Sequence, residues 1–172
     1  MKVLLAVDGS EYTQRMLGYV AAHDELFSSA TEFTVVTVVP AIPPHAASYL
    51  DRRTLDSYYH DEAEKVLKPV RAFAAQQGWK VDFVERAGHV GDRIADFATS
   101  GKFDLVVMGS HGDSSIGNVV MGSVANRVLA QCKTPVLQVH RISGRRCCWD
   151  QVSAPAPLCS PVKYSDQQLC PD

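Results

Sequence analysis

The apolar residues of this chain change period again and again, and that alternation constrains the fold more than any other feature. Val3 to Val7 is an unbroken apolar run, the pattern of a strand covered on both faces. After Asp8-Gly9-Ser10, a turn with capping side chains, Met16, Leu17, Val20, Ala21 and Phe27 recur at helical spacing. Phe33 to Val39 is a second run, rich in β-branched residues, and Pro40 closes it. Ala41 to Leu50, with Pro43-Pro44, reads as a surface loop. A long helix is predicted from about Thr54 to Gln77, ended by Gly78 and kinked at Pro69, where a backbone donor is missing. Val81–Ala87 reads as strand, Asp92–Thr99 as a short helix, Phe103–Met108 as strand, Ser123–Gln131 as helix and Pro135–Val139 as a last strand. Five strands alternating with four helices predict an α/β fold: an open, doubly wound, five-stranded parallel sheet with helices on both faces.

The 172 residues are enough for one ordinary domain and too few to expect two. With 46% hydrophobic and 21% charged residues the composition is that of a globular protein, and a net charge of −2 offers no basic face for gripping nucleic acid. The N-terminal apolar run stops at Asp8, too soon for a signal-peptide core, and no stretch approaches the length of a membrane span. A cytoplasmic protein, with no membrane and no nucleic-acid partner, is expected.

From Ser143 the character changes. Gly144-Arg145-Arg146-Cys147-Cys148-Trp149 leads into Pro155, Pro157 and Pro161 with no sustained period. The expected organisation is therefore one folded domain over residues 1–142 and a disordered appendage over 143–172. Of the five cysteines, Cys132 falls in the domain, and Cys147, Cys148, Cys159 and Cys170 fall in the tail. Their spacing lacks the paired Cys-x-x-Cys of a zinc or iron–sulfur site, so redox sensing or metal capture by the tail is a rival reading only.

The stretch that carries chemistry is Val107-Met108-Gly109-Ser110-His111-Gly112, then nine residues, then Gly122-Ser123-Val124. It joins a buried strand to a helix start at the carboxyl edge of a parallel sheet, where ligands of open α/β folds bind. Gly109 and Gly112 let backbone approach a ligand without an intervening Cβ, and both are able to adopt positive φ. Gly122-Ser123 sets amide groups and a hydroxyl at a helix N-terminus, a seat for phosphate. The pattern is neither the Gly-x-Gly-x-x-Gly fingerprint nor a Walker loop, since no Gly-Lys-Ser/Thr follows.

These segments resemble the universal stress protein family: the opening Val3-Leu4-Leu5-Ala6-Val7-Asp8-Gly9-Ser10, the Met108-Gly109-Ser110-His111-Gly112 loop, the Gly122-Ser123-Val124 helix start and the closing Thr134-Pro135-Val136-Leu137. The resemblance covers about residues 1 to 140. It implies strand order 3-2-1-4-5 and the fold of the adenine nucleotide α hydrolases. It also implies ATP, together with Mg²⁺, as ligand. Val7, Asp8 and Val38 would hold adenine and ribose; Met108, Gly109, His111, Gly112, Gly122, Ser123 and Val124 would hold ribose and phosphates. A homodimer through the strand 136–139 is implied as well.

Asp113 departs from the family pattern, which often has a basic or neutral residue there. A carboxylate beside a polyphosphate either meets Mg²⁺ or faces solvent. Arg127, one turn past Ser123, is a candidate compensating charge or a solvated helix face. Asp8 has a structural reading too, as cap of the first helix. His111 has a titration range suited to acid–base work, but no partner for it is assignable, so it reads as a pocket residue. His45 and His60 lack metal-ligand spacing and are expected to be exposed. No catalytic residue and no metal ligand is assigned. Nucleotide-dependent regulation of a partner or of stability is the expected role; a same-fold interaction protein without nucleotide, or a slow ATPase, are the rivals.

Overall fold

The central strands are apolar on both sides because both sides are covered. In the computed structural model, which describes residues 1–23, 25–27, 30–110 and 121–140, β1 (Lys2–Val7) is buried from Val3 onward. Its Val3, Leu5 and Val7 join one core with Met16, Leu17 and Val20 of α1 (Glu11–Ala22) and Leu67, Val70 and Phe73 of α3 (Arg52–Gln76). Its Leu4 and Ala6 join a second core with Ile94 and Ala98 of α4 (Val90–Ser100) and Ala125 and Val128 of α5 (Ser123–Gln131). Helices α1 and α3 thus cover one face and α4 and α5 the other. That arrangement erases period-2 alternation from the central strands.

The remaining strands are β2 (Glu32–Pro40), β3 (Val81–Gly88), β4 (Leu105–Gly109) and β5 (Val136–Val139). All neighbours are parallel, in the order β3-β2-β1-β4-β5, as expected. The order reverses direction beside β1, so the crevice between the ends of β1 and β4 is the topological switch point.

Several boundaries differ from the sequence reading. The segment 41–50 contains a one-turn helix, α2 (Pro44–Ala47), with proline at its start and no buried residue, so no apolar period announces it. Helix α4 starts two residues before Asp92, and β4 starts two residues after Phe103. Helix α3 is one element through Pro69, whose ring lies on the exposed side. Water can reach the carbonyl that proline leaves without a donor there. Gly78 follows the α3 cap with φ +66, the left-handed residue that ends a helix. No described helix is long and apolar enough to cross a membrane.

Candidate nucleotide site

At the carboxyl edge of the sheet the register aligns β1, β4 and β5. Val7 pairs with Thr37, Ala6 with Met108, and Gly109 with Val139. Val38, Met108 and Gly109 therefore stand within about one residue of the level at which β1 ends at Val7. Val7, Val38 and Met108 are buried beneath this edge, and Gly109 is half-buried at its rim. Strand β2 runs two residues past Val38 to Pro40. The chain leaving it is then tied down where the Ile42 amide donates to the Tyr59 hydroxyl of α3 at 3.0 Å.

Asp8 is the first residue beyond β1 and is exposed. It is not the cap of α1: Ser10 is, its Oγ accepting from the Thr13 amide. Asp8 stands one step behind that cap. Its Oδ1 accepts from the Ser10 amide (3.0 Å), the Ser10 hydroxyl (2.6 Å) and the Thr13 hydroxyl (2.7 Å), while its own amide donates to Thr13 Oγ1 at 3.0 Å. Three donors on one oxygen fix the carboxylate, and Oδ2 accepts from no described residue. Ser10 and Thr13 are themselves buried. Gly9 makes the turn at φ +80, a region that L side chains rarely enter.

On the other side of the switch point, Ser110 follows Gly109. Its amide donates to the Val139 carbonyl at 3.1 Å, and its carbonyl accepts from the Gly122 amide at 2.9 Å. Its hydroxyl lies 2.7 Å from His140 Nδ1 at the end of β5. The two ends of the glycine-spaced segment are thereby held together, and α5 starts beside β4. Gly122 is the cap of α5, at φ −67 and ψ 154, with no side chain to give. Ser10 and Asp51 cap α1 and α3 with side-chain oxygens. In α5 the amides of Ser123, Val124 and Ala125 get no such acceptor from their cap. Ser123 is exposed and Val124 half-buried against the second core.

Two expectations change here. Gly109 is an ordinary strand residue; the described glycines at positive φ are Gly9, Gly78 and Gly88. Arg127 does not stand free for phosphate. Its Nη2 donates to Asp92 Oδ2 at 3.0 Å and its Nε to Oδ1, a two-pronged bridge from α5 to α4. The Arg127 hydrogen bond holds the Asp92 carboxyl below its ordinary range, and the same bond raises Arg127. His111, Gly112 and Asp113 lie outside the described residues, as do the tail and its cysteines. Two features escaped the sequence reading: the Ser10–Thr13 clasp on Asp8 and the Ser110–Gly122 tie. The clasp is local, at offsets of two and five residues, and was open to reading; the tie spans twelve residues and was not.

Comparison with known proteins identifies the family and the fold. The family model described as universal stress protein family matches residues 1–140. The chain belongs to the universal stress protein family. Universal stress protein MJ0531 of Methanocaldococcus jannaschii is 28% identical over 142 residues, covering 81% of this chain and 82% of that protein. A universal stress protein of Thermus aquaticus is 28% identical over 138 residues, 80% and 97% of the two chains. Among solved structures, that of MJ0577 superimposes with a TM-score of 0.69 at 24% identity, covering 83% of this chain and 97% of that one. A universal stress protein in complex with cAMP gives 0.59 at 23% identity over 81% and 97%. The Archaeoglobus fulgidus protein in complex with dAMP gives 0.58 at 21% over 80% and 96%. These structures share the fold of this chain.

Proposed function

We propose that this universal stress protein binds an adenine nucleotide, ATP in the first instance, across the switch point between β1 and β4. The observation that carries the reading is the Ser110–Gly122 hydrogen bond, which sets a helix start with a side-chain-free cap at the end of β4, the strand next to the one that ends at the clasped carboxylate of Asp8. An anion suits the first and a donor the second: the α5 amides attract phosphate, and Asp8 Oδ2 accepts from an amino group or a ribose hydroxyl. A nucleotide has both ends. Val7, Val38 and Met108 would form the apolar floor. Family members that share this fold are seen with cAMP and with dAMP, which supports an adenosine-type ligand. The Mg²⁺ expectation rests on Asp113, and His111 and Gly112 would complete the loop.

In this reading the nucleotide acts on stability and on a partner, and the partner surface includes a second copy of the chain. Strand β5 is the sheet edge and pairs only with β4 among the described residues. The buried side-chain nitrogen of Gln138 on that strand has no hydrogen-bond partner there. Edge-to-edge pairing of 136–139 would cover that exposed ladder.

The test is thermal melting of the purified chain with Mg·ATP, AMP and cAMP, with mass spectrometry of any nucleotide that co-purifies. A melting temperature that rises with ligand concentration is expected. No shift at millimolar ATP, AMP or cAMP overturns the proposal. Phosphate release by the parent, compared with His111→Ala and Asp113→Ala, separates binding from turnover.

A further inference from the structure

A second group of side chains lies on the opposite edge of the sheet, where β3 packs against α3, and the nucleotide reading gives it no role. His60 and Glu64 are one helical turn apart on α3 and so share a face. Strand β3 brings Glu85 to the same place. Among the described residues, His60, Glu64 and Glu85 are the one set of three metal-ligating side chains whose donor atoms all lie within 4.8 Å of one another. His60 Nδ1 stands 3.2 and 3.1 Å from the two Glu85 oxygens.

We propose that His60, Glu64 and Glu85 form a divalent metal site, suited to Zn²⁺. Ligands bonded at about 2.0–2.2 Å to a tetrahedral ion stand about 3.3–3.5 Å from each other, so the His60–Glu85 spacing needs little adjustment. One imidazole and two carboxylates are a donor set for zinc with an open position for water. The two carboxylates offset the charge of the dication, and the hard ions calcium and magnesium prefer oxygen alone. Glu64 is also oriented from behind. Arg71 Nη1 donates to both its oxygens at 2.8 and 2.7 Å, and the Arg71 guanidinium rests on the Phe83 ring 5.0 Å from its centroid. Ligating carboxylates are typically held by such outer hydrogen bonds. All three side chains are at least one-third exposed, so an ion can enter without opening the fold.

The test is calorimetric titration of the full chain with ZnCl₂, after chelator treatment and alkylation of the thiols, with no nucleotide present. One equivalent of Zn²⁺ is expected. His60→Ala and Glu85→Gln should each weaken binding at least tenfold while melting like the parent in chelator, and Glu64→Gln should weaken it too. No heat with the parent chain reduces the trio to an ion pair and overturns the proposal. So does binding that survives both His60→Ala and Glu85→Gln. Because nucleotide is absent, either result leaves the ATP experiment independent.

Discussion

Replacing Gly122 by aspartate should raise the stability of the free protein slightly and remove its response to ATP. Gly122 caps α5 at φ −67 and ψ 154, an extended conformation open to any residue, so the substitution introduces no backbone strain. Aspartate is a better cap than glycine by a few tenths of a kcal/mol, because its carboxylate accepts from the first-turn amides. For a domain near this size that is a rise of about 1 °C in Tm. The same carboxylate then occupies the seat proposed for phosphate. Two unit charges about 4 Å apart repel by roughly 4 kcal/mol near a protein surface. That weakens Kd about a thousandfold. ATP at a hundred times the parent Kd stabilises the parent by about 2.7 kcal/mol, and the variant by less than about 0.1. Differential scanning fluorimetry with and without Mg·ATP reads both quantities. A variant that keeps the ligand shift refutes the phosphate seat at α5. A free variant that melts several degrees lower refutes the cap argument, since glycine would then be required for packing.

Asp8 permits a similar separation. Asp8→Ala leaves the buried Ser10 and Thr13 hydroxyls without their acceptor and should cost about 1–3 kcal/mol in chemical denaturation. Asp8→Asn keeps an oxygen for the clasp and should hold most of that stability while losing nucleotide affinity; equal losses of stability in the two variants would undo the assignment. Gly9→Ala forces an L side chain to φ +80 and should cost about 1–2 kcal/mol in the same assay. The Asp92–Arg127 bridge contributes above the ordinary carboxylate pKa of 3.8 and fades as pH falls through the lower folded value. Asp92→Asn should therefore melt below the parent near neutral pH and converge with it in acid, as a pH series of melting curves would show.

The strands and the large helices were legible because burial on two faces writes itself as unbroken apolar runs between helical periods. Helix α2 was not, since Pro44–Ala47 buries nothing and its prolines read as loop. At the candidate site, the glycine spacing pointed to the carboxyl edge of the sheet, where Gly109 ends β4 and Gly122 caps the start of α5. What it withheld was who holds whom: Arg127 read as either a compensating charge or a solvated helix face, and its partner Asp92 lies 35 residues away. His60 is exposed as expected, and it too has a partner that spacing does not reveal. Its partner Glu85 lies 25 residues on, brought close only by packing of α3 on β3.

The Ser110–Gly122 tie has a consequence for the length of chain it closes. The strand end and the helix start are secured to each other by their own backbone atoms, so the residues between them are released from the duty of closing the fold. Doubling the length of such a span costs only about 0.6 kcal/mol of closure entropy. Insertions between Ser110 and Gly122 are therefore cheap for the fold as long as that backbone bond is kept.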